Sequence, residues 1–305
     1  HNPFRLIRVV GTFFRTGAVE QVFKITKASK QLKFLILFMG LPFLVFGIKG
    51  PYKKSPIVRA LIALGPAYIK FGQLLSTRPD IVGADLANEL KVLQDSLDPF
   101  PTAEAKKIVN EELGSPIERI FSSFSDSVAA ASIAQVHKAT VKETNELVAV
   151  KILRPKVEKV FLKDLAALLF LAKFIEFIIP SFRRLKPTEV INHFERLVRE
   201  ELDLRMEISA AAEFAENTKS DRNFYVPKVM WSLSGKRVIT TEWVDGMSVG
   251  DVERIKSSGI DIESFAKRII KTFLTQALRD GFFHGDMHQG NLKCRCDGTL
   301  VVMDF

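Results

Sequence analysis

The run His284-Gly285-Asp286-Met287-His288-Gln289-Gly290-Asn291, followed thirteen residues after Asn291 by Asp304-Phe305, constrains the fold more than any other part of this chain. Between Asn291 and Asp304 the sequence turns at Cys296-Asp297-Gly298, a hairpin-turn signature. A hairpin there brings the Asn291 carboxamide and the Asp304 carboxylate together, as a shared metal ion requires. Asp286 precedes Asn291 by five residues, which lets the aspartate face an attacking hydroxyl or water while the asparagine reaches the metal. Taken alone, Asp286 also reads as a turn-capping aspartate. The paired Asn291 and the following Asp304-Phe305 argue for the chemical reading.

Charge placement narrows the class further. The chain of 305 residues carries a net charge of +9. Residues 1–54 hold ten Lys or Arg against one acid, Glu20, while the other 251 residues hold 34 of each sign. The basic character is therefore N-terminal, and the neutral remainder argues against an extended nucleic-acid surface. Hydrophobic residues at 47% allow a sizeable core. The two cysteines, Cys294 and Cys296, are too few for a disulfide framework and lack further ligands for a metal site, which fits a reducing compartment.

Phe34 to Ile48 is an apolar run of fifteen residues with Gly40 and Pro42 inside it, short of the roughly 20 that a spanning helix needs. Lys27, Lys30 and Lys33 precede it, and Lys49, Lys53 and Lys54 follow. Basic flanks around an apolar run suit a segment lying on an anionic membrane surface. The plainer alternative is a core helix with solvated lysines. A second apolar stretch, Val160–Ile179, carries Lys163, Asp164, Lys173 and Glu176, and reads as a mostly buried helix ended at Pro180.

The rest of the chain alternates in texture. Helical periodicity over 55–98 breaks at Pro99-Phe100-Pro101, and Thr102 opens a helix that Gly114 and Pro116 close. Strand patterns follow over 117–153, with Glu143–Glu146 as a turn. Residues 157–218 read as helical. Residues 225–245 return to strands about a Leu233–Lys236 hairpin turn, and 262–282 form a helix ending at Gly281.

Lys151 closes Val148-Ala149-Val150-Lys151 on a strand, and Glu207 lies on a helix some fifty residues on. A lysine after a buried strand is often only a solvated end. A helix glutamate able to fix it makes it a candidate phosphate clamp. Upstream, where a glycine-rich phosphate loop would stand, the chain has Ala129-Ala130-Ala131-Ser132 instead, leading into Ile133–His137. Alanine allows a tight turn without glycine's freedom at positive φ.

These motifs, in this order, resemble a protein-kinase small lobe leading into a large lobe, and more closely the UbiB family of atypical kinases, which supports ubiquinone biosynthesis. The resemblance covers roughly residues 55–305. It rests on Lys70-Phe71-Gly72-Gln73, the alanine-rich loop through His137, Glu201-Leu202-Asp203, and the loop carrying Asp286 and Asn291. Gln289 departs from the proline usual there.

The resemblance implies an α+β chain: a basic, apolar arm (1–54), a helical extension with the Lys70–Gln73 motif (55–116), a kinase-like small lobe with a helical insert (117–245) and the start of a large lobe (246–305). It implies Mg2+ and ATP or ADP as cofactors. Asp286, Lys151 and Glu207 would be catalytic, Ala129, Ala130, Ala131, Ser132, Lys151 and the Glu242 backbone would bind nucleotide, and Asn291 and Asp304 would bind metal. Lys70 and Gln73 would lie on a helix covering the site, with Lys70 paired to Glu201 and Asp203. The function expected is ATP hydrolysis or phosphoryl transfer supporting ubiquinone biosynthesis, with a pseudokinase scaffold as the alternative. Expected partners are an anionic membrane surface, ubiquinone-biosynthesis proteins and polyprenyl-phenol precursors, and the expected location is the cytoplasmic face of a bacterial inner membrane. The sequence has neither a flavin fingerprint nor a His–carboxylate iron triad, so hydroxylase chemistry is not expected. It stops before the glycine that would follow Asp304-Phe305, and a fragment is expected.

Overall fold

The computed structural model describes residues 3–25, 30–94, 98–178, 180–285 and 287–305. In chain order, helices α1 (Pro3–Thr16), α2 (Ala18–Ile25), α3 (Lys30–Gly40), α4 (Pro56–Leu64), α5 (Pro66–Ser76), α6 (Pro79–Val82), α7 (Ala84–Leu90), α8 (Thr102–Leu113) and α9 (Ile117–Ile120) precede strands β1 (Phe121–Ala130), β2 (Ala134–Val141) and β3 (Leu147–Leu153). Next come α10 (Val157–Ile178), α11 (Pro187–Glu201), α12 (Leu204–Asn217), β4 (Phe224–Tyr225), β5 (Val238–Glu242) and β6 (Met247–Ser248). The series ends with α13 (Val252–Ser257), α14 (Ile262–Thr275), β7 (Leu292–Cys294) and β8 (Leu300–Val302). The fold is α+β, and its residues divide into two compact units.

The first unit is helical and comprises residues 1–99, 130–133 and 156–199. Its α3 runs into a 3-10 turn at Leu41–Phe46, where Pro42 ends the α-helical bonding. The backbone of this turn lies directly against α1, since a Cβ on Gly47 would stand 2.2 Å from the Gly11 carbonyl oxygen. Arg15 donates to the Gly47 carbonyl at 2.8 Å, and the Ile48 N–H donates to Thr12 Oγ1 at 3.1 Å. On α5, Gly72 lets the helix close on Leu61 and Leu93. The Gln73 amide donates to the Leu93 carbonyl at 2.7 Å and fixes that contact. No helix among the described residues is long and apolar enough to cross a membrane.

Helix α10 differs from its expected burial. It does stop before Pro180, but only one face is buried, through Val157, Phe161, Asp164, Leu165, Leu168 and Ala172, while Phe170, Phe174, Phe177 and Ile178 are exposed. The buried face contains a charge. Asp164 takes a bidentate pair from the Arg5 guanidinium of α1, at 2.5 and 2.9 Å. Burial pushes the Asp164 carboxyl above its ordinary pKa, with the Arg5 guanidinium opposing the shift.

The second unit comprises residues 100–129, 134–155 and 200–305 and holds two four-stranded sheets. The first has order β1-β2-β3-β5 and packs on α8 through Val148, Val150, Ile152, Val238, Ala105, Ile108 and Val109. Within it, buried Gln135 binds both backbone groups of Phe100 and the ring of His137, whose other nitrogen donates to the Ser125 carbonyl at 2.9 Å. The alternation of β2 thus buries a polar pair that pins the start of the unit to its sheet.

The second sheet has order β4-β8-β7-β6, with β4 parallel to β8 and the other pairs antiparallel. The hairpin expected at Leu233–Lys236 takes another form. Gly235 does turn the chain, donating to the Val238 carbonyl at 2.7 Å, but the incoming arm is a 3-10 turn, Trp231–Leu233, joined to β5 by one bridge, Val229 to Thr241. Thr240 and Ser234 hold this arm through side-chain bonds that replace a ladder.

Candidate active site

On β3 the alternation sends Val148, Val150 and Ile152 into the core and Lys151 to the opposite face. The Lys151 ammonium donates to both carboxylate oxygens of Glu207 at 2.9 Å and is also ion-paired with Asp304. Glu207 occupies the first turn of α12. Asp203 caps that helix, accepting from the Arg205 N–H at 3.2 Å, and its carboxylate holds the Arg205 guanidinium at 2.8 and 2.6 Å. The cap sets where α12 begins and therefore which residue, one turn later, faces Lys151.

Burial and charge compete in this cluster. Burial disfavours the Lys151 ammonium, but the Asp304 and Glu207 carboxylates outweigh it and hold the group above the ordinary lysine range. Burial pushes the Glu207 carboxyl up to about 7; Lys151 pulls it down and Asp304 pushes it further up. One cation thus serves two carboxylates.

The β7–β8 hairpin delivers Asp304. The Met303 N–H donates to the Asn291 carbonyl at 2.9 Å, so the two candidate metal ligands stand at the open end of one hairpin. Asn291 is buried, and its N–H donates to the His288 carbonyl at 2.9 Å. Asp304 has φ of +63°, a left-handed conformation that non-glycine residues adopt sparingly and that clusters at functional sites. A ring nitrogen of His284 donates to the Asp304 carbonyl at 2.8 Å. Phe305 packs at 5.2 Å on Phe214 and at 5.4 Å on His284. Phe214 lies seven residues after Glu207, on the same face of α12, so an aromatic cluster joins the Glu207 helix to the hairpin. Sequence reasoning read His284 only as part of the loop motif and missed Phe214, for which the seven-residue interval from Glu207 was the available signal.

The other expected site residues fall as follows. Asp286 lies outside the described residues. Ala129 and Ala130 end β1, and Ala131 and Ser132 belong to its connection to β2, in which no residue has positive φ. Ala129 groups with the two-sheet unit, whereas Ala130, Ala131 and Ser132 group with the helical one. Glu242 ends β5, and its side chain is engaged, accepting from the Tyr225 hydroxyl and from the Lys228 N–H at 3.3 Å. Lys70 and Gln73 lie on α5 in the helical unit. Glu201 ends α11 and belongs, with Asp203, to the two-sheet unit.

Asn291 and Asp304 offer an amide oxygen and a carboxylate, hard donors of the kind Mg2+ takes when phosphate oxygens and water complete its shell. No cluster of three or more His, Cys, Asp or Glu suited to a metal ion exists among the described residues, and the cysteines are free. The donor set fits Mg2+ better than zinc.

A four-stranded sheet presenting a lysine to a helix glutamate, and a hairpin that returns an aspartate to the same lysine, define a protein-kinase-like chain. A family model described as the ABC1 atypical kinase-like domain matches residues 92–305. The chain belongs to that family. It is 35% identical over 306 residues to a probable protein kinase UbiB of Marinobacter nauticus, covering 99% of this chain and 55% of the relative. It is 42% identical over 234 residues to a probable protein kinase UbiB of Pseudomonas aeruginosa, covering 76% and 44%. A chloroplastic Arabidopsis thaliana protein, named activity of bc1 complex kinase 1, is 39% identical over 256 residues, covering 84% and 38%. The chain spans about half the length of the curated relatives it matches.

Proposed function

We propose that the protein binds Mg–ATP and hydrolyses it, or transfers its terminal phosphoryl group, in support of ubiquinone biosynthesis at an anionic membrane surface. The observation that carries this reading is the meeting of Lys151, Glu207 and Asp304, three residues remote in sequence with no need of one another for stability alone. Lys151, oriented by Glu207, holds the nucleotide phosphates. Asn291 and Asp304 hold Mg2+, which when bound neutralises charge on the transferring phosphoryl group. Asp286 orients the attacking oxygen. The hinge backbone at Glu242 takes the adenine. The resemblance to UbiB proteins gives Lys70, Gln73, Glu201 and Asp203 a regulatory role that favours water or a small acceptor over a peptide. The pathway assignment comes from the resemblance to UbiB proteins.

Peripheral membrane contact is supported by one surface of the helical unit. Phe34, Phe38, Leu41, Val45 and Phe46 are all exposed, between Lys30 and Lys33 on one side and Lys49, Lys53 and Lys54 on the other. A polyprenyl-phenol precursor would be met at such a surface, on the cytoplasmic face in a bacterium.

A pseudokinase scaffold is the second reading, favoured by the Ala129–Ser132 loop, whose backbone lacks the positive-φ residues of a phosphate nest. Mg2+-dependent ATP hydrolysis, measured with and without vesicles of anionic phospholipid and beside Asp304→Asn, separates the two. Turnover that vesicles stimulate and Asp304→Asn abolishes supports the enzyme. Nucleotide binding without turnover supports the scaffold, and no nucleotide binding sinks both.

A further inference from the structure

The segment that runs from Glu242, the expected hinge residue, to Gly246 is gripped by the hairpin that carries Asn291 and Asp304. Lys293, between buried Leu292 and Cys294 on the first arm of that hairpin, and Arg295, just past its end, are two apart and share a face. The Lys293 ammonium donates to the Val244 carbonyl at 3.0 Å and stands 5.4 Å from the Trp243 ring centroid. The Arg295 guanidinium lies 4.0 Å over the Tyr225 ring and 3.8 Å from the Glu242 carboxylate, which also takes the Tyr225 hydroxyl. Gly246 closes the approach, since a Cβ there would meet Lys293 Cβ at 3.1 Å and the Cys294 carbonyl oxygen at 3.2 Å. The chain then enters β6, which pairs with β7.

We propose that Lys293 and Arg295 form a clasp that sets the distance between the adenine-binding hinge and the metal-binding end of the hairpin. This rests on the nucleotide reading above. A nucleotide with its metal spans from base to terminal phosphate, so hinge and metal ligands must be held at one separation for both ends to bind at once. Asn291 starts the hairpin and Asp304 follows it, while Lys293 and Arg295 hold the arm between them to three consecutive hinge residues. The Glu242 side chain, which the hinge role alone leaves idle, is the anchor for Arg295. Half-burial lowers the Lys293 pKa, with Asp245 opposing. These are positioning residues; none touches the expected phosphates.

A clasp of this kind predicts a loss of coupling between two ligands rather than a loss of either site. In the unsubstituted protein, Mg2+ strengthens binding of a non-hydrolysable ATP analogue, and the analogue strengthens Mg2+ binding by the same factor. Arg295→Met and Lys293→Met are expected to lower that factor by about fivefold each, as befits partly exposed cation contacts, while metal-free analogue affinity stays within about twofold. Arg295→Lys should recover part of the coupling. Titration calorimetry of the analogue across a Mg2+ series reads the factor directly. Unchanged coupling in both methionine variants overturns the clasp, even if their melting temperatures fall. Where a methionine variant fails to fold, Glu242→Gln, which keeps the side-chain shape, gives the same reading: full coupling overturns the clasp. Absence of analogue binding in the unsubstituted protein removes the nucleotide reading itself, and the clasp with it.

Discussion

Lys151 and Glu207, 56 residues apart, meet in a bidentate contact with both carboxylate oxygens 2.9 Å from the ammonium. Asp304 shares the same ammonium from the other side of the cluster. Lys151 therefore has two carboxylate partners, of which one, Asp304, is also the expected metal ligand. On the proposed Mg–ATP reading, metal and lysine would compete for Asp304, and Glu207 would keep Lys151 in place when the metal takes it.

This competition distinguishes two substitutions. Lys151→Met would remove the proposed phosphate contact and should lower turnover by about 100- to 1000-fold, the range for losing one preorganised donor at a developing charge. Glu207→Gln keeps an acceptor but removes the charge, leaving Asp304 as the carboxylate partner of Lys151, so the lysine would hold Asp304 more tightly against the metal. Its expected signature is a raised Mg2+ requirement, with turnover partly restored at high Mg2+. Turnover measured over a Mg2+ series tests this, and a Glu207→Gln defect insensitive to Mg2+ would remove the competition from the account.

His137 provides a pH test outside the cluster. It is fully buried on β2, bound to the Ser125 carbonyl and Gln135 and stacked at 4.7 Å on Phe124. Burial lowers its pKa, with the Ser125 bond and Asp126 opposing. The folded state thus takes up its proton less readily than the unfolded chain, whose histidine titrates near 6.5. The sign follows: its contribution is complete above about pH 6.5 and is lost as pH falls through the lower folded value. Melting temperature should decline on acidification through this window. His137→Gln should flatten the decline while lowering stability at pH 8 by about 1–2 kcal/mol through lost bonds. An equally steep decline in the variant would assign the acid sensitivity elsewhere.

The pair Arg5–Asp164 yields a stability prediction for the helical unit. Asp164 is 2% exposed, and Arg5 is its bidentate partner from 159 residues away. Removing one partner strands a charge, whereas removing both for apolar groups does not. Arg5→Met and Asp164→Leu should each destabilise by about 2–4 kcal/mol, discounted for the partial exposure of Arg5, and the double substitution should cost less than either alone. Denaturant unfolding of the four proteins measures the coupling, and strictly additive losses would show that the two charges do not sense each other.

How much of this was legible in the sequence depends on where the information lay. The β7–β8 hairpin, with Asn291 before it and Asp304 after it, could be read because Asn291, the Cys296–Gly298 turn and Asp304 are close in sequence. Lys151 and Glu207 could be paired because each role demands a residue type on a known kind of element. Tyr225, Arg295 and Glu242 could not be read together. Their meeting depends on a two-residue parallel pairing of β4 with β8, too short to leave a pattern. The exposed face of α10 was equally hidden, because an apolar helix announces its composition but not which of its faces finds a partner. Arg5 and Asp164 carry no local signal at all. Their pairing is decided by how α1 packs against α10.

The last prediction concerns the surface of α3 and the turn after it. Phe34 is 73% exposed, Phe38 65% and Phe46 59%, so the three rings stand in water at a cost that only contact with something apolar offsets. If that contact is the interfacial zone of an anionic membrane, two contributions separate by their response to salt. The rings contribute through burial, at about 1 kcal/mol each for roughly half of full transfer, and this part is insensitive to ionic strength. The flanking lysines contribute about 1 kcal/mol each at low salt, screened within a Debye length of roughly 8 Å at physiological ionic strength. Replacing the three phenylalanines with serine should therefore weaken partitioning into anionic vesicles by about a hundredfold and leave binding that salt abolishes. Replacing Lys49, Lys53 and Lys54 with glutamine should do the opposite, leaving weaker binding with a shallower salt dependence, to which Lys30 and Lys33 still contribute. Vesicle sedimentation over a salt series reads both. Unaltered partitioning of the serine variant would mean that these rings face something other than lipid.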